Sequence, residues 1–316
     1  MRNKKIFTLA LAMLLGASGV LVCGNGTKAN AEDIVTEKMR FAAEMDKKYV
    51  EEAALRPMTR SNVDLDELIS QAFFAEGEEK ALLLEELSTF GIYRFNTEVN
   101  SDDKLDEQVE VNIDITAEDE PEITPYGVAL YRDCGTDDVA IYAPEVYYQA
   151  ASQTWVVSCG GQWKNGNALP WLNFGVDTIG DPDAFGVGYT SIKTEYNSAV
   201  VKSYAYIEDE SGSQRETTDV RSDGNGALGF GFRLQDRLFS TATFTTYVGH
   251  VWYGACTYDK DFSTYDAVAT GYYTHTYSSC DISEITFGVT GKEAGVNVVL
   301  TKTSKGFTGY GTDTKF

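Results

Sequence analysis

Residues 139–163 read VAIYAPEVYYQAASQTWVVSCGGQW, and this stretch decides the fold. Its β-branched and aromatic residues, at Val146–Tyr148 and Trp155–Val157, suit a pleated and half-buried surface. Pro144 marks a corner, and Ala150–Gln153 has the length of an ordinary hairpin loop. The stretch therefore predicts an extended strand, a corner and a β-hairpin.

A similar pattern of short, aromatic-rich predicted strands continues to the C-terminus. Residues 126–316 hold 17 of the 19 Tyr, all four Trp and 23 of the 29 Gly, so the composition changes at Tyr126. Apolar residues alternate with period two, for example at Phe230, Phe232 and Leu234. Short strands separated by Gly, Asp and Asn turns predict an antiparallel β-sandwich or open barrel over residues 126–316.

The N-terminus has the pattern of an export signal. Three basic residues within the first five precede an apolar run at Ile6–Val22, and Ala29–Ala31 is a small-x-small cleavage motif. A membrane anchor is the alternative, but a span needs about 20 apolar residues, and Gly16 and Gly19 interrupt this run. Residues 1–31 are therefore predicted to be a cleaved secretory signal peptide, which leaves a secreted chain without a membrane span.

Residues 32–95 are predicted to be helical. Asp64, with Glu67 three residues later, has the spacing of a capping box, and Gly77 is expected to end the helix that follows. Three short acidic helices make a thin core, so we expect them to pack on another element or to stay loosely ordered. A removable pro-region and a docking arm are further alternatives. Residues 96–125 hold eleven acids and one base, which predicts an acidic linker.

The charge of the chain limits its partners. The leader carries four of the 26 Lys and Arg and none of the 48 acids, so its removal changes the net charge from −22 to −26. Nucleic acids and anionic membranes need basic patches, and we therefore expect neither as a partner. In composition, the leader, the acidic segment and the Tyr/Gly-rich half resemble exported proteins of Gram-positive bacteria. The oligomeric state is open.

Four cysteines remain after the leader is removed. An even number in an exported chain suggests two disulfides. Three pairings are possible, and we expect the two local ones, Cys134–Cys159 and Cys256–Cys280. No C-x-x-C pair is present, which argues against zinc and against thioredoxin-type redox chemistry.

The familiar catalytic motifs are missing from the sequence, namely H-E-x-x-H, G-x-S-x-G and the phosphate-binding Gly-Lys loop. The two histidines, His250 and His275, are both predicted to lie mid-strand. They are candidates for a general base or for half of a metal site. The alternative interpretation is a pair of ordinary sheet histidines.

Oxygen ligands in predicted loops make calcium a possible cofactor. The candidates are Asp181 with Asp183, and Asp223 with Asn225, although neither pair has the spacing of an EF-hand. The alternative is turn chemistry, because Asp and Asn side chains bond to their own backbone. Otherwise no cofactor is expected.

The four tryptophans, Trp155, Trp163, Trp171 and Trp252, are candidates for a platform that stacks on sugar rings, or else they belong to the core. An aromatic-rich β domain without catalytic motifs favours a non-catalytic secreted protein that binds a glycan or cell-wall ligand. One alternative is a secreted polymer hydrolase with a His or carboxylate pair in a β cleft. Another is a toxin or bacteriocin-like protein with a removable pro-region.

Overall fold

Period-two alternation gives a series of antiparallel strands in the described residues from Val139 onward. The computed structural model describes residues 37–54, 63–95, 138–164, 175–178, 182–190, 198–221, 226–240, 245–276, 282–287, 296–300 and 306–316. Several expectations fall outside these residues: the signal peptide (1–31), the linker (96–125), Cys134, Cys280, Trp171, Asp181, Asp223 and Asn225. None of the described helices is both long enough and apolar enough to span a membrane.

Three helices come first: α1 (Glu37–Ala53), α2 (Leu65–Phe74) and α3 (Gly77–Thr89). The Asp64 carboxylate accepts hydrogen bonds from the backbone N–H groups of Asp66 (3.0 Å) and Glu67 (3.3 Å), which confirms the predicted N-cap. Gly77 was expected to end a helix, but it begins α3. Its φ of +56° is open to glycine at little steric cost, so the chain can turn sharply between α2 and α3.

A 3-10 helix (Lys260–Thr264) follows the three α-helices much later in the chain. The strands are β1 (Ile92–Phe95), β2 (Val139–Ile141), β3 (Glu145–Gln149), β4 (Thr154–Trp163), β5 (Gly175–Thr178), β6 (Asp183–Thr190), β7 (Val200–Glu208), β8 (Arg215–Thr218), β9 (Gly229–Leu234), β10 (Arg237–Ser240), β11 (Thr245–Val248), β12 (Val251–Tyr258), β13 (Val268–Thr276), β14 (Ile282–Phe287), β15 (Val296–Leu300), β16 (Gly306–Tyr310) and β17 (Thr314–Lys315).

All described strand pairs are antiparallel. A seven-stranded sheet has the order β1-β3-β4-β12-β7-β8, with β2 also paired to β4, and a five-stranded sheet has the order β16-β13-β6-β9, with β17 paired to β13. Strands β11-β10-β5 and β14-β15 form two smaller sheets. The predicted hairpin is confirmed as β3–β4, with Tyr148 opposite Trp155.

The main core lies between the seven-stranded and five-stranded sheets. Trp252 on β12 stacks on Tyr273 on β13, with ring centroids 3.9 Å apart and an interplanar angle of 13°. Alternate residues of both sheets are buried here, including Phe230 and Phe232 from the predicted alternating run. The predicted β-sandwich is confirmed, and the described strands do not close into a barrel.

The outer face of the seven-stranded sheet is covered by α2 and α3. Ile69 and Phe73 of α2 and Leu87 of α3 are buried against Tyr147 and Tyr253 of the sheet. The helical region also supplies β1, which pairs with β3. Residues Thr36–Phe316 consequently form one compact unit, in which the acidic helices complete the fold of the β domain.

Candidate functional site

A cluster of two carboxylates and one imidazole forms at one end of the main core. Strands β6 and β13 pair with Thr274 opposite Ala184, which brings the next residues, Asp183 and His275, side by side. His275 Nδ1 lies 3.0 Å from Asp183 Oδ1 and 2.9 Å from Oδ2. Asp236, in the loop between β9 and β10, places Oδ2 3.9 Å from the same nitrogen. We call Asp183, Asp236 and His275 the Asp–Asp–His cluster.

The cluster is shielded from solvent and held by hydrogen-bond donors. Its three residues are 2%, 1% and 0% exposed, in chain order. Asp183 accepts hydrogen bonds from the Tyr273 hydroxyl (2.6 Å) and from the backbone N–H of Thr276 (3.1 Å). Asp236 accepts from the Tyr247 hydroxyl (2.8 Å). Both carboxylates are therefore oriented by groups on neighbouring elements.

Burial controls the electrostatics of the cluster. It raises the pKa of Asp236 well above the ordinary value, and the nearby charge of Asp183 raises this pKa further. Burial also raises the pKa of the Tyr247 and Tyr273 hydroxyls, with the neighbouring carboxylates adding to the effect. Both phenols thus remain protonated donors at neutral pH.

Aromatic side chains form the walls of the cluster. The Trp163 ring meets the His275 ring edge to face, with centroids 5.1 Å apart and an interplanar angle of 82°. Tyr273 lies parallel to the imidazole on another side. The ligand atoms of the three residues all lie within 4.8 Å of one another, so this buried cluster could hold a metal ion.

The structure places the two predicted histidines differently. His275 lies in the cluster, whereas His250 lies in the turn between β11 and β12, half-buried, instead of mid-strand. Burial lowers the pKa of His250, and the nearby charges that oppose this shift belong to Glu210 and Asp209. His250 is not a member of the Asp–Asp–His cluster.

Of the predicted calcium ligands, only Asp183 lies within the described residues. It begins β6 and is buried, so the prediction that it lies in a loop is wrong. Asp236, which the sequence analysis did not single out, is the third member of the cluster. No spacing pattern links it to Asp183 or His275, because the three residues meet only through sheet pairing and the β9–β10 loop.

The predicted tryptophan platform is not an exposed surface where the structure describes it. Trp155, Trp163 and Trp252 are 0%, 3% and 1% exposed and belong to the main core. They pack between the two sheets, as large rings commonly do. These three residues cannot stack on a sugar in solvent.

Two cysteines are described, and both are buried thiols on adjacent strands. Cys159 lies opposite Gly254, and Cys256 lies opposite Val157, so both side chains face the main core. Burial raises the pKa of Cys256 to about 12 and also raises that of Cys159. The disulfides Cys134–Cys159 and Cys256–Cys280 each need a cysteine outside the described residues, and both stay predictions.

An open pocket lies between α2 and the outer face of the seven-stranded sheet. We call it the helix–sheet pocket, and its volume is about 600 Å³. Acidic, amide and aromatic side chains dominate its lining, which is formed by Glu67, Ser70, Gln71, Phe74, Ala75, Glu76, Glu79, Tyr142, Gln162, Tyr206, Glu208, Arg215 and Val251.

The rings and charges of the helix–sheet pocket are arranged by contacts between α2 and the sheet. Phe74 and Tyr142 meet edge to face, with centroids 5.9 Å apart. The Arg215 guanidinium lies 4.0 Å from the Tyr206 ring centroid and forms ion pairs with Glu67 and with Glu208 at 2.7 Å. This arginine therefore ties α2 to β7 and β8, and it fixes one wall of the pocket.

Tyr142 and Glu76 belong to a second wall of the helix–sheet pocket. Burial raises the pKa of the Tyr142 hydroxyl, and the Glu76 charge raises it further. Tyr142 thus presents a neutral phenol next to a carboxylate. Such a pair offers an aromatic surface, a hydrogen-bond donor and an acceptor to a polar ligand.

No protein-family model matches this chain, and no curated protein or solved structure matches it either. An inference about its function therefore rests on the chemistry of the two sites.

Proposed function

We propose that this chain is a secreted, non-catalytic binding protein that takes a glycan or cell-wall ligand in the helix–sheet pocket. The observation that carries the proposal is the lining of this pocket, which combines carboxylates and amides with aromatic rings. The leader-like N-terminus and the absence of catalytic motifs support export and binding from the sequence side.

The lining suits the chemistry of a sugar. Sugar hydroxyls donate to carboxylate and amide oxygens such as those of Glu76 and Gln162, and the apolar face of a sugar ring packs on an aromatic ring such as that of Tyr142. Pockets for small ligands typically have volumes of about 300–1,000 Å³. The volume of about 600 Å³ therefore suits one or a few sugar units.

The helical region supplies half of this pocket. Phe74 belongs to α2, Glu79 belongs to α3, and Glu76 lies between the two helices. The β domain supplies Tyr142 and Gln162. This arrangement supports a role for residues 32–95 in binding and speaks against their removal as a pro-region, as the toxin alternative requires.

The hydrolase alternative needs a His or carboxylate pair that a polymer can reach. Within the described residues, the cluster that brings Asp183, Asp236 and His275 together is buried behind aromatic rings. This placement favours binding over catalysis.

A cell-wall and glycan screen tests the proposed function. The full secreted chain is incubated with purified cell-wall polymers and with an array of immobilised glycans, and bound protein is quantified after washing. We expect saturable binding to at least one glycan class. The absence of binding to every polymer and glycan would overturn the proposal.

A further inference from the structure

We infer that the Asp–Asp–His cluster is a structural site for a divalent transition-metal ion of the zinc class. The site is separate from the helix–sheet pocket, because its residues lie between the two sheets whereas the pocket lies on the outer face of the seven-stranded sheet. The inference therefore stands independently of the proposed glycan ligand.

The donor atoms select the class of ion. Zinc and related transition metals accept imidazole nitrogen together with carboxylate oxygen, whereas calcium takes six to eight oxygen ligands. The cluster offers His275 Nδ1 and oxygens of Asp183 and Asp236. The structure thus reassigns Asp183 from a candidate calcium loop to a mixed nitrogen–oxygen site.

The separations between donor atoms suit such an ion. Two ligands bound to tetrahedral zinc at about 2.0–2.1 Å lie roughly 3.3 Å apart. His275 Nδ1 lies 2.9 Å from Asp183 Oδ2 and 3.9 Å from Asp236 Oδ2. These distances bracket the expected value, so small side-chain shifts would bring all three atoms onto one ion.

The outer hydrogen bonds resemble those that support metal ligands. Carboxylates in metal sites are commonly fixed by second hydrogen bonds, which orient them toward the ion. Asp183 is held by the Tyr273 hydroxyl and by the Thr276 N–H, and Asp236 is held by the Tyr247 hydroxyl. Two strands, β13 and β11, thus support the two acidic ligands.

Charge balance also favours a dication. Two carboxylates buried close together are costly unless a proton or a positive charge compensates them. A divalent ion would balance the charges of both carboxylates, with His275 as the third ligand. It would also link β6, β13 and the β9–β10 loop at one end of the sandwich.

Metal content and thermal unfolding test this inference. The full chain is purified without added metal, its metal content is measured by elemental mass spectrometry, and it is then chelated and titrated separately with Zn²⁺, Co²⁺ and Ca²⁺. We expect one equivalent of Zn²⁺ or Co²⁺ to bind and to raise Tm, visible ligand-field bands with Co²⁺, and no change in Tm with Ca²⁺.

Two variants locate the site. Asp236→Asn keeps the size of the side chain but removes a charged ligand, and it should abolish both the stoichiometric uptake of Zn²⁺ and the rise in Tm. Glu145→Gln changes a buried carboxylate on β3, where Lys80 and Arg94 are its partners, and should keep the full metal response. Equal responses in Asp236→Asn and the wild type, a response to Ca²⁺ alone, or no uptake of any ion would each overturn the assignment.

Discussion

Asp183 and His275 are 92 residues apart in the chain, yet Asp183 Oδ2 lies 2.9 Å from His275 Nδ1 in the core of the sandwich. The pairing of β6 with β13 creates this contact. Because both side chains are buried, this contact satisfies polar groups that water does not reach.

Asp183→Ala should strongly destabilise the fold, even without metal. The change leaves the Tyr273 hydroxyl, the Thr276 N–H and the imidazole without their shared acceptor. Breaking a buried pair in this way typically costs about 3–5 kcal/mol. Urea unfolding in the presence of a chelator measures the loss, with the exposed Asp261→Ala as a control. A loss below about 1 kcal/mol would contradict the network described here.

Gly160→Ala should loosen the contact between α2 and the sheet. A methyl group at this position would lie 2.6 Å from the Trp252 carbonyl oxygen and 3.0–3.1 Å from the rings of Phe73 and Phe74. Overpacking of this kind costs about 1–3 kcal/mol. Gly271→Ala is the control, because its nearest atom would be 3.3 Å away. Similar unfolding free energies for the two variants would argue against this close packing.

Lys38 should make stability depend on pH between about 7 and 10.5. Its ammonium donates to the Tyr265 carbonyl oxygen and lies 4.3 Å from the Phe316 ring centroid, and burial lowers its pKa from 10.5 to about 7. The unfolded chain therefore binds more protons than the folded chain within this window, so the unfolding free energy rises with pH. Well below pH 7, Lys38 is charged in both the folded and the unfolded chain, so the full cost of burying its charge lowers the unfolding free energy.

Lys38→Met isolates this effect. Chemical unfolding from pH 6.5 to 9.5 should show a stability gain with pH in the wild type that is absent from Lys38→Met. Lys47→Met, on the exposed face of the same helix, should keep the wild-type slope. Parallel pH profiles for all three proteins would contradict the burial of a titrating amine at α1.

Cys159 and Cys256 should be unreactive toward thiol reagents in the folded protein. Both are buried, and the raised pKa of each thiol leaves little thiolate at neutral pH. Denaturation without reductant should make both available for alkylation, which peptide mass spectrometry can map. A peptide that links Cys159 to Cys134, or Cys256 to Cys280, would instead establish the disulfides expected from the cysteine count.

The sequence was sufficient for much of the fold because its signals are local. The Asp64 cap depends on neighbours within three residues, and the β3–β4 hairpin depends on its four-residue loop. The prediction that His250 lies mid-strand is wrong, because alternation alone cannot separate a strand from a tight turn next to Gly249, where φ is +143°.

The two sites were harder to predict from the sequence, because they depend on contacts between residues that are far apart in the chain. Asp183 and His275 were both named as candidates, but for different roles, and Asp236 lies in a loop with no distinguishing motif. The helix–sheet pocket likewise joins Phe74 to Tyr142, whose contact exists only because α2 docks over Gly160. Burial of the tryptophans also could not be predicted, because a ring that faces the core and one that faces solvent give the same alternation.

The most direct test of the binding account is the affinity of a Tyr142→Ala variant for the glycan or cell-wall polymer selected by the screen. Isothermal titration calorimetry compares this variant with the wild type and with Val220→Ser, a control at an exposed apolar residue that does not line the pocket. We predict a Kd at least tenfold higher for Tyr142→Ala, which corresponds to a loss of about 1.4 kcal/mol of binding free energy. We predict no change in Kd for Val220→Ser. Equal affinity for the wild type and Tyr142→Ala would contradict the assignment of the helix–sheet pocket as the binding site.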